Sequence, residues 1–205
     1  MIEIKKLSKK YDDKVLFSDM SVNIDEGDFV ILSGESGVGK TTLLNIIGGI
    51  EKPDTGDVYF NGLSINNKKN KMKIYRNELG FLFQNFALVE KLTVKENLLV
   101  VSPSNRSSFS IPDALEIVGM SGSEGKKVYK LSGGEQQRVA IARLLIKKCN
   151  VILADEPTGS LDEKNSDVVM ELLKRLNSMG KTIIMVTHNP KYFDYGNRSI
   201  VLPYC

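Results

Sequence analysis

The stretch from Phe29 to Ile47 constrains the fold and the chemistry of this chain more than any other. The apolar run Phe29-Val30-Ile31-Leu32 has the length of a strand. It leads into the loop Gly34-Glu35-Ser36-Gly37-Val38-Gly39-Lys40-Thr41, and apolar residues at helical spacing follow. A strand, a G-x-x-x-x-G-K-[ST] loop and a helix are the context in which this pattern indicates a phosphate site rather than a glycine-rich turn that binds nothing. The sequence therefore predicts that the phosphates of a nucleotide bind here.

The residue types of the loop suit a phosphate chain. Its three glycines let the backbone wrap closely around an anion, and the N-terminal end of the following helix adds partial positive charge. Lys40 supplies a full positive charge for the β- and γ-phosphates, and the hydroxyl of Thr41 suits Mg²⁺. We expect the phosphates to be bound by a continuous run of residues: Gly34, Glu35, Ser36, Gly37, Val38, Gly39, Lys40, Thr41 and Thr42.

Two adjacent carboxylates end a second apolar run. Asp155 and Glu156 directly follow Val151-Ile152-Leu153-Ala154, which reads as a buried strand. Packing alone does not explain two acids at this point, because a buried charge needs a partner. Mg²⁺ is the natural partner for Asp155, and Glu156 is then placed to polarise a water molecule.

Two more strand patterns end in polar side chains. Gly80-Phe81-Leu82-Phe83 ends at Gln84, and Thr182 to Thr187 ends at His188, the only histidine of the chain. Open α/β sheets bind their ligands beside the carboxyl ends of their strands. Gln84 is weak evidence by itself. A structural or exposed role for His188 stands equally open beside a catalytic one.

The segment Leu131-Ser132-Gly133-Gly134-Glu135 opens a long helix that we expect to reach about Lys148. Ser132 and Glu135 have the spacing of a capping box, so a well-capped helix start explains both of them. It does not explain Gly133 and Gly134, since glycines in a helix lower its stability by about 1 kcal/mol each. Open N–H groups at a positive helix end, suited to a phosphate, would account for the two glycines.

Strand patterns that alternate with helix patterns predict an α/β fold with a mainly parallel central sheet. The opening hairpin patterns add an antiparallel β flank, with a turn from Lys9 to Asp13. Short helical patterns interrupt the alternation at 86–130, so we expect a helical subdomain inserted into a core of residues 1–85 and 131–205. Leu161 to Met179 should be an amphipathic helix that ends at Gly180 and begins with a capping box of Ser160 and Glu163. Its expected apolar face is Val168, Val169, Leu172, Leu173 and Leu176.

Composition excludes several classes of protein. The 205 residues carry a net charge of +3, and the lysine pairs read as solvated faces, so we expect no nucleic-acid partner. Cys149 and Cys205 give no disulfide framework or metal spacing, and Cys149 reads as a buried thiol. The N-terminus lacks the apolar block of a signal peptide, and no apolar run approaches the ~18 residues of a membrane span. We therefore expect a cytoplasmic protein that reaches a membrane only through a partner.

Together these motifs resemble those of the ATP-binding subunit of an ABC transporter, a P-loop NTPase, over nearly the whole chain. They fall in family order: the loop at 34–41, Gln84, LSGGEQQR at 131–138, ILADEP at 152–157, SLD at 160–162 and His188. LSGGEQQR after an upstream P-loop is close to diagnostic. The wording GFLFQNFALVEKLTVKENL and DEPTGSLDEKNS looks most like the branch of lipoprotein-release, macrolide-export and antimicrobial-peptide-export ATPases.

This resemblance implies a Mg²⁺-dependent ATPase that acts as a head-to-tail homodimer with two ATP molecules between its protomers. Ser132, Gly133 and Gly134, with Glu135 beside them, would then meet the γ-phosphate that Lys40 of the other protomer binds. The resemblance also assigns roles to single residues. Tyr11, which otherwise reads as a surface aromatic, would stack on adenine, Thr41 and Asp155 would bind Mg²⁺, and Gln84 would contact Mg²⁺ and signal to the membrane subunit. Glu156 would be the general base, His188 would sense the γ-phosphate, and Asp162 would contact the other protomer.

The implied partner is an integral membrane permease that holds the chain at the inner face of the membrane, and the implied task is export or extraction of a peptide, lipoprotein or drug. Phe86, Leu88 and Leu92 would line a groove for a short permease helix, or else pack the helical subdomain onto the core. A regulatory ABC ATPase that signals without transport is the alternative. A soluble ABC protein of DNA repair or translation would carry coiled-coil insertions or a second cassette, and this chain has neither.

The chain departs from the family pattern in two places. The segment between Gln84 and Leu131 is shorter than is usual, which would narrow the docking surface. The sequence also stops at Pro203-Tyr204-Cys205, so we expect no appended regulatory domain.

Overall fold

Nine strands and six α-helices follow one another along residues 1–202, which are the residues that this computed structural model describes. The strands are β1 (Ile2–Tyr11), β2 (Lys14–Ile24), β3 (Phe29–Gly34), β4 (Thr55–Phe60), β5 (Leu63–Ser64), β6 (Leu79–Phe83), β7 (Val151–Asp155), β8 (Thr182–Val186) and β9 (Arg198–Leu202). The helices are α1 (Lys40–Ile47), α2 (Lys68–Asn77), α3 (Val94–Leu99), α4 (Ile111–Ile117), α5 (Gly133–Ile146) and α6 (Glu163–Ser178). The expectation about the chain end at Pro203-Tyr204-Cys205 lies outside the described residues.

The larger sheet has five strands in the order β6-β7-β8-β3-β9, and every neighbouring pair is parallel. Side chains alternate between the two faces of a strand, and both faces of β3 are covered. Phe29 and Ile31 pack into one apolar cluster, whereas Val30 and Leu32 pack into another. A strand buried on both sides needs a continuous apolar sequence, which explains the run at 29–32. The predicted parallel α/β core is confirmed.

The smaller sheet is antiparallel and has the order β2-β1-β4-β5, which confirms the predicted β flank. One detail of the prediction was wrong, because β1 continues through Lys9, Lys10 and Tyr11 instead of turning there. These residues pair with β2, and only residues 12–13 form the turn, with Asp12 at φ 48°. The longer hairpin matters for the site because it carries Tyr11 toward α1.

The two apolar clusters lie on opposite faces of the parallel sheet. One contains α1 and the antiparallel sheet, and the other contains α3, α4, α5 and α6. Between β6 and α5 the chain forms α3, α4 and two short 3₁₀ helices, Pro103–Asn105 and Val128–Lys130. Buried Leu98 and Leu115 belong to the same cluster as buried Leu144 of α5 and Ala154 of β7. The boundaries of the helical subdomain at 86 and 130 stay a prediction.

Helix α6 begins two residues later than predicted, and the proposed capping box was wrong. Asp162, and not Ser160, is its N-cap residue, and the Asp162 carboxylate accepts from the N–H of Asn165 at 2.9 Å. The apolar face is also rotated, since Val168 is exposed and Met170 is buried. Gly180 follows the helix at φ 88°, the left-handed conformation that commonly ends a helix.

Helix α5 ends at Ile146, just short of the predicted Lys148, because the backbone of Lys147 is extended, with ψ 137°. The ammonium of Lys147 donates to the carbonyls of Tyr75 and Leu79 at 2.7 and 2.8 Å. Cys149 beyond it is buried, as predicted.

Candidate functional site

The loop between β3 and α1 has the backbone geometry that its glycines predict. Gly34, Gly37 and Gly39 have φ values of 135°, 73° and 107°, in the region that favours glycine. A Cβ atom at Gly34 would also lie 2.4 Å from the carbonyl oxygen of Leu202. No side chain caps the N-terminus of α1. Its N–H groups are therefore open to an anion at the positive end of the helix dipole.

Lys40 places a positive charge inside this loop. The side chain is buried, and its ammonium donates to the carbonyl oxygens of Gly34 and Glu35, each at 2.8 Å. Within residues 1–202 no carboxylate forms an ion pair with this ammonium, so its charge can be directed at a phosphate.

A cavity of about 600 Å³ opens beside Lys40 and brings together Tyr11 and six residues of the predicted phosphate-binding run. Its lining is Tyr11, Lys14, Leu16, Ser36, Gly37, Gly39, Lys40, Thr41, Thr42, Glu156, Val186 and His188. Sequence reasoning missed Lys14, Leu16 and Val186. Lys14 pairs with Tyr11 across the hairpin and donates to the carbonyl of Gly37 at 2.9 Å. The hairpin register was the signal that could have identified Lys14.

Tyr11 stands at the outer end of the cavity with half of its surface exposed. Its hydroxyl donates to the carboxylate of Glu51, and this bond raises the pKa of the phenol. The ammonium of Lys9 lies 5.0 Å from the centre of the ring, at cation–π distance. These two contacts fix the orientation of an aromatic ring that borders the cavity, as a stacking platform requires.

The candidate metal residues join two cavities. The hydroxyl of Thr41 donates to the carboxylate of Asp155 at 3.0 Å. Asp155 and Gln84 line a second cavity of about 600 Å³, together with Phe83, Asn85, Phe86, Gly133 and Ser160. Burial raises the pKa of Asp155, and the Thr41 hydroxyl only partly offsets this. Among the described residues no cation forms an ion pair with Asp155. A partly buried carboxylate next to hydroxyl and amide oxygens fits Mg²⁺, which prefers oxygen ligands and completes its shell with phosphates and water.

Groups of three or more histidine, cysteine or acidic side chains that could hold a metal by themselves are absent from residues 1–202.

Glu156 and His188 form a pair at the edge of the Lys40 cavity. Nδ1 of His188 lies 2.8 Å from Oε1 of Glu156, and the backbone of Glu156 has φ 45°. Left-handed backbone at a non-glycine residue costs conformational energy and is concentrated at functional sites. The histidine side chain is 73% exposed, whereas the glutamate is 17% exposed. The two predicted catalytic residues are thus in direct contact.

The residues at the start of α5 do not line the Lys40 cavity in this chain. Ser132 and Glu135 form the predicted capping box, with N–H to oxygen distances of 2.8 and 3.3 Å. The Ser132 N–H bond also holds the pKa of Glu135 below its usual value. A Cβ atom at Gly134 would lie 2.2 Å from Oδ1 of Asn165, so packing within the chain explains this glycine. At Gly133 a Cβ would make only ordinary contacts, so packing leaves this glycine unexplained.

Asp162 is engaged in its own chain rather than at the Lys40 cavity. Its carboxylate accepts from the backbone N–H and from the side-chain amide of Asn165, at 2.9 and 2.7 Å. The first of these bonds is the main reason that the pKa of Asp162 is lowered. Its predicted dimer contact stays a prediction.

A parallel α/β sheet with a glycine-rich phosphate loop, a lysine inside that loop and two acids at the end of a neighbouring strand defines a nucleotide-binding protein of the P-loop class. The family model described as "ABC transporter" matches residues 17–159. The chain belongs to the ABC transporter ATP-binding family, as its motifs predicted.

The relatives agree with this assignment. The chain is 41% identical to the uncharacterized ABC transporter ATP-binding protein MJ0796 of Methanocaldococcus jannaschii, with 98% of this chain and 93% of that protein covered. It is 39% identical over 98% of its length to the macrolide export ATP-binding/permease protein MacB of Campylobacter jejuni, and spans about a third of it. This similarity confirms the predicted resemblance to the branch that includes macrolide exporters.

A solved structure described as the dimeric post-hydrolysis state of the ATP-binding cassette MJ0796 bound to ADP and Pi superposes with a TM-score of 0.82 at 37% identity, covering 98% of this chain and 94% of that one. The predicted fold is therefore confirmed. Within residues 1–202 no helix is long and apolar enough to cross a membrane.

Proposed function

We propose that this chain is a Mg²⁺-dependent ATPase subunit that hydrolyses ATP in a head-to-tail homodimer and powers a membrane permease from the inner face of the membrane. The observation that carries this proposal is the arrangement around Lys40. Two side-chain pairs, Thr41 with Asp155 and Glu156 with His188, lie beside the phosphate loop at the ends of the strands. One pair suits a metal ion and the other suits a water molecule, and hydrolysis of a phosphoanhydride needs both.

The protein contributes position and charge more than covalent chemistry. Lys40 and the open N–H groups of α1 hold the phosphates, and the ring of Tyr11 stacks on the adenine of ATP. Bound Mg²⁺, held through Thr41, Asp155 and Gln84, would neutralise charge on the phosphate oxygens. Glu156 is the group placed to take a proton from the attacking water.

The contact with His188 defines what Glu156 can do. A general base has to be ionised, and an ionised carboxylate only accepts hydrogen bonds, so in that state Nδ1 of His188 is the donor of this pair. Such a bond orients Glu156 at its left-handed backbone position. In the neutral ring Nε2 then carries the lone pair, and it can donate to a phosphate only when the imidazole is doubly protonated.

In the proposed dimer, the start of α5 contacts the other protomer. Gly133 lines the cavity that contains Gln84 and Asp155, while Ser132 is exposed. Neither reaches the cavity beside Lys40 of its own chain, so a second protomer is the natural acceptor of this surface. ATP bridging the two chains would stabilise the dimer, and hydrolysis would remove that stabilisation.

Export is the direction that we propose. The residues that follow β6 resemble those of export ATPases, and the chain is similar to MacB, which is named for macrolide export. Overall identity does not decide the direction of transport. A protein named for spermidine/putrescine import, PotA of Spiroplasma citri, is 40% identical over 92% of this chain, and the match covers 55% of PotA. Transport assays in vesicles that carry the permease would separate transport from a purely regulatory role.

Replacement of the general base, Glu156, tests the proposal. Glu156→Gln keeps the shape of the side chain and removes only its capacity to take a proton. We expect ATP binding to be retained and steady-state phosphate release to fall by about 10²-fold to 10⁴-fold. With ATP the variant should shift from monomer to dimer in gel filtration with light scattering. Wild-type turnover by this variant would refute the assignment of Glu156, and absence of hydrolysis by the parent chain would refute the ATPase itself.

A further inference from the structure

The loop that follows β6 contains two consecutive non-glycine residues in the left-handed conformation. Phe86 has φ 62° and Ala87 has φ 48°. Residues with side chains rarely adopt this region, and two in succession persist only where surrounding contacts hold them there. The loop starts at Gln84, which lines a cavity with Asp155. Whatever holds Phe86 and Ala87 therefore also constrains the path of the chain next to Gln84.

Arg143 of α5 makes the contacts that hold these two residues. Its guanidinium donates to the carbonyl of Ala87 at 2.6 Å and to the carbonyl of Phe86 at 3.3 Å. Within the part of the chain that the structure describes, these carbonyls are its hydrogen-bond acceptors and no carboxylate forms an ion pair with it. Burial lowers the pKa of the guanidinium.

Two further contacts make the loop a bridge between helices. The side-chain amide of buried Asn97, on α3, pairs with both the N–H and the carbonyl of Val89, at 2.8 and 3.0 Å. The ring of Phe86 lies against Gly133, where a Cβ would be 3.5 Å from its Cζ. Gln84, Phe86, Gly133 and Asp155 line one cavity. The loop is thus fixed to α3 at one end and to α5 along its middle.

We infer that Arg143 is a positioning residue for ATP hydrolysis, which holds the loop at 84–89 so that Gln84 faces the Asp155 site. This inference rests on the proposed ATPase function. Arg143 touches neither the Lys40 cavity nor Asp155, so its effect passes through the backbone of Phe86 and Ala87. The planar guanidinium uses two separate nitrogens for this, because Nη1 donates to Ala87 and Nη2 donates to Phe86.

The same helix provides a matched control. Lys147 is also a partly buried cation at the end of α5. Its ammonium donates to three carbonyl groups, those of Tyr75, Leu79 and Lys148, and burial also lowers its pKa. The carbonyls of Tyr75 and Leu79 belong to the end of α2 and the start of β6, at the opposite end of the strand from Gln84. Lys147→Met and Arg143→Met therefore remove comparable contacts, and only one of them is connected to the site.

The test combines amide hydrogen exchange and kinetics on the full chain. Arg143→Met should speed exchange at 84–89 by about 10-fold or more, because N–H groups of Phe86, Ala87 and Val89 are bonded in the held loop. Its kcat should fall by roughly 10-fold to 10²-fold, the scale of a misplacement of about 1 Å, with KM for ATP changed by less than about threefold. Lys147→Met should speed exchange near 75–79 and keep kcat.

Arg143→Lys preserves the charge with a single donor group, so its exchange rates at 84–89 and its kcat should lie between those of the parent and of Arg143→Met. It replaces Arg143→Met in the test if that variant does not fold. Unchanged exchange at 84–89 in the substituted chain, or a kcat per folded molecule equal to that of the parent, would overturn the inference. A parent chain that hydrolyses no ATP would instead refute the proposed function, and the exchange data would still decide whether Arg143 holds the loop.

Discussion

Nδ1 of His188 and Oε1 of Glu156 lie 2.8 Å apart, at the ends of two neighbouring strands of the parallel sheet. The contact joins the only histidine of the chain to the predicted general base. The imidazole is largely exposed, so the pair owes little to packing. A structural histidine would be expected to fill a gap in the core, and His188 does not.

The first prediction separates a catalytic role of His188 from a structural one. His188→Ala should leave the melting temperature within about 2 °C of the parent, because an exposed side chain contributes little to stability. Turnover should fall by about 10²-fold or more, the scale for a positioned polar group. Steady-state phosphate release and a thermal melt, measured on the same preparation, decide the matter. A variant that melts earlier but hydrolyses ATP normally would remove His188 from the site.

The second prediction concerns Asp155, whose function and stability requirements conflict. Its raised pKa means that the folded chain binds the proton more tightly than the unfolded chain does. The ionised carboxylate therefore destabilises the fold at neutral pH, and this penalty fades as the pH falls through the raised pKa. Asp155→Asn removes the charge and keeps an acceptor for Thr41, so without nucleotide it should melt no earlier than the parent.

The same variant should lose the response to its ligand. Mg²⁺ with ATP stabilises a chain that binds it by mass action, so the parent should melt several degrees higher in their presence. Asp155→Asn should show little of this increase, whereas ATP with EDTA should affect both chains alike. An undiminished Mg²⁺-dependent increase in the variant would show that Asp155 does not bind the metal.

Strand and helix positions could be predicted from the sequence where one periodicity dominates. The continuous apolar run at 29–32 predicted a strand buried on both faces, and all four of these residues are buried in the structure. The errors occurred where several local signals compete. Both Ser160 and Asp162 can cap a helix, and in the structure Asp162 does so, because its carboxylate accepts from the N–H of Asn165. Lys9 and Lys10 are polar, yet pairing with β2 keeps them in a strand.

The candidate site divides in the same way. A local motif specifies the loop around Lys40, so its residues could be named from the sequence alone. Contacts between distant segments could not be named. Nothing near Arg143 in the sequence points to the carbonyl of Ala87, 56 residues away, and nothing near Gly134 points to Asn165. These contacts depend on how helices pack, which a single sequence does not reveal.

The third prediction uses the two glycines at the start of α5 as a pair. Gly134→Ala should lower the melting temperature, because its Cβ would overlap Asn165. Gly133→Ala should melt at the same temperature or higher, since alanine favours a helix and its Cβ would meet only ordinary contacts. If Gly133 faces the nucleotide of a partner protomer, this stable variant should fail to dimerise with ATP when combined with Glu156→Gln.

Gel filtration with light scattering measures that outcome, and the Glu156→Gln chain alone is its reference. Normal dimerisation of the double variant would show that Gly133 is free of the partner's phosphate. Adding Asn165→Ala to Gly134→Ala should recover part of the lost stability, which checks the packing explanation independently.

The last prediction places the permease on the segment that follows Gln84. The three apolar residues expected to line a groove differ in their surroundings: Leu88 packs against the main apolar cluster, Phe86 is half-buried beside Gln84, and Leu92 is half-buried. Leu88→Ser should therefore unfold the chain more easily and is a poor probe of docking. Val89 next to it is 52% exposed, and Asn97 holds its backbone in place. An exposed valine on a fixed backbone suits a groove for an amphipathic helix.

We expect Val89→Ser and Phe86→Ser to fold and bind ATP, and to reduce co-purification with the proposed permease partner. Val201→Ser is the matched control, because Val201 is 61% exposed but lies on β9, at the edge of the sheet away from β6. Its removal should leave co-purification unchanged, and circular dichroism with a thermal melt verifies each fold. If both site variants stay folded and retain the permease as Val201→Ser does, the docking surface lies elsewhere. Loss confined to Val89 and Phe86 would connect permease binding to the loop that carries Gln84, and thereby to the ATP site.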